Sequence, residues 1–261
     1  MAKPEPRIIS VLSASPEEGQ SILLTNLAAT ICENGSDVLV LHAGQDSIES
    51  SRNYGINALP TLLDVAEKRS LITQSIKNTK LGFATIKLQS KNQNLAPIDS
   101  AVDAKISEIF NDLANRYTLV LADVALNKNN VLPLSTLSEG KILIQMTRDP
   151  ESVKKAYILI KHICNQHGRR SIGIIVTETG NAHAAVVFRN IAQIVRRFLA
   201  IDLEFFGAIP ADEHITRAAK LGRSVTDAFP RVAASISFKG LAQRLNYQQN
   251  RSTNVEQKSL A

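Results

Sequence analysis

The chain has 261 residues and a mass of 28.5 kDa, and its 44% hydrophobic and 21% charged residues are ordinary for a globular protein. Two cysteines, Cys32 and Cys164, exclude a disulfide-rich scaffold and a dense cysteine metal site. The net charge of +6 favours acidic partners, nucleic acid or anionic lipid, and is also found on mildly basic proteins that bind none of these. The sequence has no apolar run long enough for a transmembrane helix and no signal-peptide start, so we expect a cytoplasmic protein.

The first unit of the chain is predicted to be strand, loop, helix and strand. The β-rich run Ile8–Leu12 predicts the first strand, and a loop follows over 13–20. Apolar side chains at helical spacing predict a helix over 21–34, which Gly35 ends. A short buried strand is predicted at 38–41. A unit of roughly this length is typical of a βαβ crossover.

The remaining chain continues this alternation. Further strands are predicted at 83–88, 117–123, 141–146, 171–177 and 203–209, and further helices at 61–68, 99–115, 150–167, 182–199, 213–221 and 231–246. The helix 150–167 has the clearest boundaries, because Asp149 suits its N-cap and Pro150 its first turn. The alternation predicts an α/β fold with a mostly parallel, twisted sheet and helices on both faces. We expect one domain over 1–246 and a polar, disordered tail over 247–261.

The loop after the first strand is the place where a phosphate-binding P-loop lies in many α/β proteins. Its pattern is G-x-x-x-x-G-K-[ST], in which backbone N–H groups and a lysine hold phosphates. In this chain Ala14 replaces the first glycine and Gln20 replaces the lysine, while Gly19 and Ser21 match. The spacing alone also fits an ordinary strand–helix loop.

The wider sequence resembles the MinD/ParA family of deviant-Walker-A ATPases. The stretch 8–28, which ends in Asn26-Leu27-Ala28, resembles the opening of that family, and the strand ending at Asp123 resembles its Walker B strand. The blocks 148–161 and 203–213 are similar to the flagellar-number regulators, the FlhG/FleN branch. The resemblance extends from residue 7 to about 245. It implies a P-loop NTPase-like domain.

Several residues depart from the family pattern at the nucleotide site. In the loop, the signature lysine falls on Ser15, the phosphate-binding lysine falls on Gln20, and two glycines fall on Pro16 and Glu17. After the second strand, the two aspartates of the D-x-D fall on His42 and Gly44. Further along the chain, the switch glycine falls on Asn127 and the adenine-reading asparagine falls near Thr177. Phosphoryl transfer depends on positioning and charge stabilisation, which these losses remove together. The sequence therefore predicts a pseudo-ATPase without catalytic residues.

What remains of the nucleotide site is a small vestige. By resemblance, Gly19, Gln20, Ser21 and Asp123 would form it, and Ser21 and Asp123 would hold Mg²⁺ if a Mg-nucleotide binds. We expect no cofactor, with ATP and magnesium as the alternative if the degenerate site is functional. Ser21 and Asp123 are equally consistent with a plain helix-start hydroxyl and a relic at a strand end.

The predicted function is regulation of flagellar number or placement through protein contacts. The resemblance implies a flagellar SRP-type GTPase or a flagellar transcription activator as partner, and a homodimer. The predicted helices 150–167 and 182–199 are the expected contact surfaces. One alternative is an ATP-driven switch that dimerises on membrane or DNA. Another is a partition or positioning scaffold unrelated to flagella. The location expected is the cytoplasm, with the inner face of the membrane or the cell pole as peripheral sites.

Three further features have simpler interpretations. His162, Cys164 and His167 lie on one predicted helix, without a second cluster that would complete a zinc site. The C-terminal half is rich in arginine, which is compatible with DNA binding and more typical of a solvated basic face. The segment 236–245 is amphipathic and could lie on lipid, but we predict that it is a closing helix packed on the domain.

Overall fold

The fold is built around one eight-stranded sheet. A computed structural model describes residues 7–15, 19–44, 56, 58–90, 99–127 and 129–245. The strands are β1 Arg7–Ser13, β2 Val38–His42, β3 Lys77–Asn78, β4 Ala84–Lys87, β5 Leu119–Asp123, β6 Lys141–Met146, β7 Ile172–Thr177 and β8 Leu203–Ile209. Their order is β3-β4-β2-β5-β1-β6-β7-β8, and every pairing is parallel except β3 with β4.

Helices cover both faces of this sheet. They are α1 Gln20–Glu33, α2 Leu62–Ala66, α3 Ile72–Ser75, α4 Ser100–Ala114, α5 Pro150–His167, α6 Asn181–Leu199, α7 Glu213–Lys220, α8 Val225–Ala228 and α9 over 233–245, with a 3-10 turn at Ser135–Ser138. One core cluster joins the sheet to α2, α4, α5 and α6, and the other joins it to α1, α7, α8 and α9. The predicted mostly parallel sheet with helices on both faces is confirmed.

The alternation of side chains along β1 shows how the two cores are filled. Ile8 and Leu12 point into the first cluster, whereas Ile9 and Val11 point into the second. Between them, the hydroxyl of Ser10 is fully buried and donates to the carbonyl of Leu137 at 2.8 Å. Because successive side chains alternate between faces, an apolar strand of this kind can support helices on both sides.

Most predicted elements are present with boundaries shifted by a residue or two. The N-cap of α5 is as expected: the carboxylate of Asp149 accepts from the Glu151 N–H at 2.8 Å, and Pro150 opens the helix. The closing segment 236–245 lies within α9, where Phe238, Leu241 and Leu245 are buried.

Four short elements were not predicted from the sequence. They are the helices α3 and α8, the two-residue strand β3 and the 3-10 turn Ser135–Ser138. Each spans two to four residues, and so short a run shows no periodicity. The predicted tail 247–261 lies outside the described residues.

Candidate functional site

The candidate site lies at the carboxyl ends of the central strands. In the register of β1, β5 and β2, Asp123 pairs with Val11 on one side and with His42 on the other. The strand order changes direction at β1, because β2 lies on one side of it and β6 lies on the other. In doubly wound α/β sheets, ligands bind at such a switch point, outside the carboxyl ends of the strands.

The loop from β1 to α1 depends on one glycine. Gly19 lies at the helix N-cap with φ 70° and ψ 37°, in the left-handed region that favours glycine. Its carbonyl accepts from the N–H groups of Ile22 and Leu23 at 3.0 Å, which starts α1. The predicted site residues Gly19, Gln20 and Ser21 therefore stand at the start of a helix. Pro16, Glu17 and Glu18 lie outside the described residues.

Gln20 occupies the position of the phosphate-binding lysine and its side chain turns toward the sheet. Its Nε2 donates to Oδ1 of Asp123 at 2.7 Å and to the carbonyl of Val11 at 2.7 Å, and lies 3.2 Å from the carbonyl of Val124. The amide group thus joins the ends of β1 and β5. Two of the four predicted site residues, Gln20 and Asp123, are in direct contact with each other.

Asp123 is the last residue of β5 and is 5% exposed. Its Oδ2 lies 3.6 Å from Nδ1 of His42, and Nε2 of His42 is hydrogen-bonded to the hydroxyl of Thr85 at 2.8 Å. His42 and Thr85 are also buried. A row of polar side chains, half-buried at Gln20 and buried at Asp123, His42 and Thr85, therefore runs from α1 through β5 and β2 to β4. Sequence reasoning noted His42 as a lost aspartate and did not foresee this row.

Ser21 lies in the first turn of α1 and is half-buried. Its carbonyl accepts from the hydroxyl of Thr25 at 2.6 Å, which is a contact within the helix. The predicted magnesium pair, Ser21 and Asp123, thus belongs to two elements that Gln20 joins. Among the described residues, no group of three or more His, Cys, Asp or Glu side chains could hold a metal ion.

Gly44 stands where the family pattern has its second aspartate. A Cβ placed on Gly44 would lie 3.7 Å from Oδ1 of Asp123 and 3.6 Å from the backbone nitrogen of Ala125. These are ordinary contact distances, so the described residues leave room for a Cβ. An aspartate there would place a second carboxylate near the buried Asp123, and Gly44 avoids that repulsion.

A lysine from another helix reaches the loop. Nζ of Lys155, on α5, donates to the hydroxyl of Ser15 at 3.0 Å, and the hydroxyl of Ser13 donates to the carbonyl of Ser15 at 2.8 Å. The contact was not predicted from the sequence. A cation therefore does lie beside the loop, on α5 rather than within the loop itself.

The two remaining departures have local structural roles. Oδ1 of Asn127 accepts from the N–H groups of Asn129 and Val131, at 2.9 and 3.1 Å, and so organises the turn after β5. Thr177, at the end of β7, is 7% exposed. Neither residue makes a described contact with the row from Gln20 to Thr85.

The other titratable candidates do not form a reactive site. Burial raises the pKa of the Cys32 thiol to about 11 and raises that of Cys164 as well. Both thiols therefore stay protonated at neutral pH and are poor nucleophiles. Burial also lowers the pKa of Lys87, the register neighbour of His42 on β4, while the charge of Asp64 opposes that shift.

At the position of the phosphate-binding lysine, the described residues offer no positive charge to a nucleoside triphosphate. The group at the position of the phosphate lysine is a neutral amide that is already bonded to Asp123 and to the backbone of β1. Replacing that lysine removes the charge that would meet the β- and γ-phosphates.

In the described part of the chain, no helix is long and apolar enough to cross a membrane.

Comparisons with known proteins agree with this architecture. No protein-family model matches the chain. The chain is 24% identical to the antiactivator FleN of Pseudomonas aeruginosa over 241 residues, which is 92% of this chain and 86% of that protein. The MinC:MinD cell division complex of Aquifex aeolicus superposes with a TM-score of 0.70 at 20% identity, covering 92% of this chain and 95% of that one. The ATP complex of a Cyanothece McdA variant superposes with a TM-score of 0.69 at 14% identity, covering 93% and 97%.

The sheet order, the loop at the switch point and these superpositions define a MinD/ParA-type P-loop fold. Within that class, the sequence is similar to the antiactivator FleN. The likeness to FleN extends over nearly the whole described chain, so it does not depend on the nucleotide loop alone.

Proposed function

We propose that this chain regulates flagellar number or placement by binding other proteins, and that it does so without ATP turnover. Support for the flagellar role comes from the likeness to FleN, whose name describes an antiactivator. A fold of this class serves several functions, so the fold alone does not select one. The sequence likeness in the C-terminal blocks favours the flagellar branch.

One observation supports a pseudo-ATPase above the others: the 2.7 Å hydrogen bond from Gln20 to Asp123. In a P-loop ATPase, a lysine in this place meets phosphate and the carboxylate helps to hold the metal. Here the two side chains bind each other. The nearby positions His42 and Gly44 also lack the carboxylates of the family pattern.

Helices α5 and α6 present exposed apolar side chains to which a partner protein can bind. Ile158 on α5 and Val186, Ile194 and Phe198 on α6 are large apolar side chains that are 43–66% exposed. Exposed apolar side chains on a helix are typical of protein contact sites where they form a contiguous patch, and Ile194 and Phe198 are one helical turn apart on α6. The proposed partners are a flagellar SRP-type GTPase or a flagellar transcription activator, together with a second copy of this chain.

The flagellar role is tested by counting flagella after deletion of the gene and after complementation. We expect an altered number or position in the deletion strain and recovery with the wild-type chain. Complementation with Phe198→Glu should fail, whereas Asn165→Glu, at an exposed site on α5, should restore the count. An unchanged flagellar number in the deletion strain would defeat the proposal.

A second candidate function is an ATP-driven switch. It is favoured by the retained Ser21 and Asp123, and by a cation at the loop, Lys155. Calorimetric titration with Mg-ATP, with Mg-ADP as control, separates the two. We expect no detectable heat up to about 1 mM nucleotide, the weak end of specific affinities. Micromolar binding would show that the protein is gated by nucleotide after all.

A further inference from the structure

The edge of the sheet at β8 lies beside a groove under α6. The groove has a volume of about 390 Å³, within the range of ligand-binding clefts. Its apolar lining comes from two elements: Ala185, Phe188 and Ala192 on α6, and Leu203 and Phe205 on β8. The rings of Phe188 and Phe205 pack with their centroids 5.1 Å apart. The groove therefore has a packed aromatic floor between a helix and a strand.

The strand beside the groove lies at the end of the sheet. The strand order ends at β8, which pairs with β7, and no described strand pairs with its other side. Edge strands of this kind offer backbone groups to an additional strand. Arg244 of α9 donates to the carbonyls of Phe205 and Phe206. Arg244 therefore covers the edge at these two carbonyls, and a pairing segment would replace its side chain there with backbone N–H groups.

The rim of the groove is basic. Arg189 and Arg196 line it, and Arg197 follows them on α6, which carries no acidic residue in its 19 residues. The one acidic rim residue, Asp202, lies 3.5 Å from Nε of Arg196, and both side chains are largely exposed. An exposed ion pair of this kind contributes little and is readily exchanged for another carboxylate.

We propose that this groove binds an extended segment of a partner protein, which pairs with the edge of β8 and alternates apolar with acidic side chains. Some peptide-binding domains hold an extended peptide in the same way, between an edge strand and a helix. Main-chain hydrogen bonds supply affinity and pockets for alternate side chains supply specificity. Here the aromatic floor receives the apolar side chains and the arginines of the rim receive the acidic ones.

Charge selects this occupant over the two nearest alternatives. In a two-fold symmetric contact through this groove, a second copy of the chain would bring the same arginines against the rim. The chain's own residues 246–261 carry Arg251 and Lys258 against a single acid, Glu256, so that segment is also basic. Only a partner of opposite charge gains from the rim electrostatically. The inference rests on the proposed protein-contact function and does not depend on the flagellar role.

The test is peptide selection on the immobilised full-length protein. Random phage-displayed peptides of about 10 residues, the upper end of ordinary strand lengths, are selected on the wild type. They are then counter-selected on Ala192→Trp, which fills the groove.

We expect peptides that alternate apolar residues with Asp or Glu. Ala192→Trp should weaken a synthesised peptide by about tenfold or more, and Arg189→Glu, which adds no bulk to the floor, should also weaken it. The matched control Ala182→Trp, exposed at the start of α6, should bind normally.

NMR chemical-shift changes of the backbone amides and amide hydrogen exchange locate the bound peptide on the protein. We expect shifts along α6 and Leu203–Phe205, with slowed amide exchange on β8. No groove-dependent peptide, or selection of basic peptides, would overturn the proposal. So would shifts on α6 without slowed exchange on β8, or groove-dependent binding of the protein to phosphatidylglycerol vesicles in place of peptide. Peptide binding together with an unchanged flagellar number would defeat the flagellar role alone. An altered flagellar number without peptide binding would defeat the groove alone.

Discussion

The side-chain amide of Gln20 donates a 2.7 Å hydrogen bond to the carboxylate of Asp123, a residue 103 positions further along the chain. This bond joins α1 to β5 where the family pattern would place phosphate and magnesium between the two residues. Since Asp123 is only 5% exposed, it depends on its partners for solvation. The bond therefore satisfies a buried carboxylate and links two elements of the fold.

Gln20→Ala should destabilise the protein although it removes no apolar core. Oδ1 of the buried Asp123 would lose its donor, and an unsatisfied buried group of this kind costs about 1–3 kcal/mol. Chemical denaturation measures the loss. The control is Gln166→Ala on the exposed face of α5, which should change stability by less than about 0.5 kcal/mol. Equal stabilities of the two variants would show that Gln20 does not solvate Asp123.

Gly19→Ala should be destabilising for a conformational reason. An added Cβ would lie 3.7 Å from the nearest atom of the described residues, which leave room for it, but φ is +70°. Holding a non-glycine residue in the left-handed region costs roughly 1–2 kcal/mol. Gly180→Ala is the matched control, because Gly180 is also a helix N-cap, with φ −76° and no atom within 4 Å of an added Cβ. Both free energies of unfolding come from denaturant titration, and a smaller loss for Gly19→Ala than for Gly180→Ala would contradict the argument.

Asn26→Ala should loosen the C-terminal helices from α1. The side chain of Asn26 is 5% exposed, and its Oδ1 accepts from the N–H of Val225 at 2.8 Å. Its Nδ2 donates to the carbonyl of Ile22 within α1. Loss of these bonds leaves a buried backbone donor unpaired, at a cost of about 1–3 kcal/mol.

Hydrogen exchange distinguishes this local effect from general destabilisation. In Asn26→Ala, amides of α8 and the start of α9 should exchange faster while those of β6 and β7 keep their protection. Asn190→Ala, at an exposed position on α6, serves as the control and should leave both regions unchanged. Uniform loss of protection across the sheet would argue against a link specific to α8.

Asp212 should make stability depend on acidic pH. Burial alone would raise the pKa of Asp212, but hydrogen bonds from the backbone N–H of His214, its ring and the N–H of Ala234 outweigh that effect, so the pKa lies below its usual value. A carboxylate with a depressed folded-state pKa contributes stability above its unfolded pKa of about 3.9. That stability is lost as the pH falls through the folded pKa.

The measurement compares wild type with Asp212→Asn across pH 7 to strongly acidic conditions. The wild type should be more stable at neutral pH, and the difference should shrink once the pH falls below about 4, the ordinary aspartate pKa. Asp112→Asn, an exposed carboxylate on α4, supplies the control. A difference that stays constant with pH would mean that Asp212 acts by packing alone.

The sequence was a good guide wherever a feature depends on neighbouring residues. Asp149 and Pro150 predicted the start of α5, and the apolar runs predicted the strands of the parallel sheet. Ser15 and Gln20 stand where the family pattern has lysines, and the pseudo-ATPase predicted from them remains a prediction. These signals are local, since capping and side-chain periodicity operate over a few residues. The predictions for Ser21 and Asp123 as magnesium ligands remain predictions.

The tertiary structure alone decided which residues far apart in the chain contact each other. The sequence by itself determined an α/β chain whose first loop lacks the lysines of the family pattern and whose C-terminal half is rich in arginine. Only the fold placed Gln20 against Asp123, and Lys155 of α5 against Ser15. It also placed α6 over an edge strand with a groove between them. The reason is that strand order and register bring distant residues together, and no local pattern specifies which strand lies beside which.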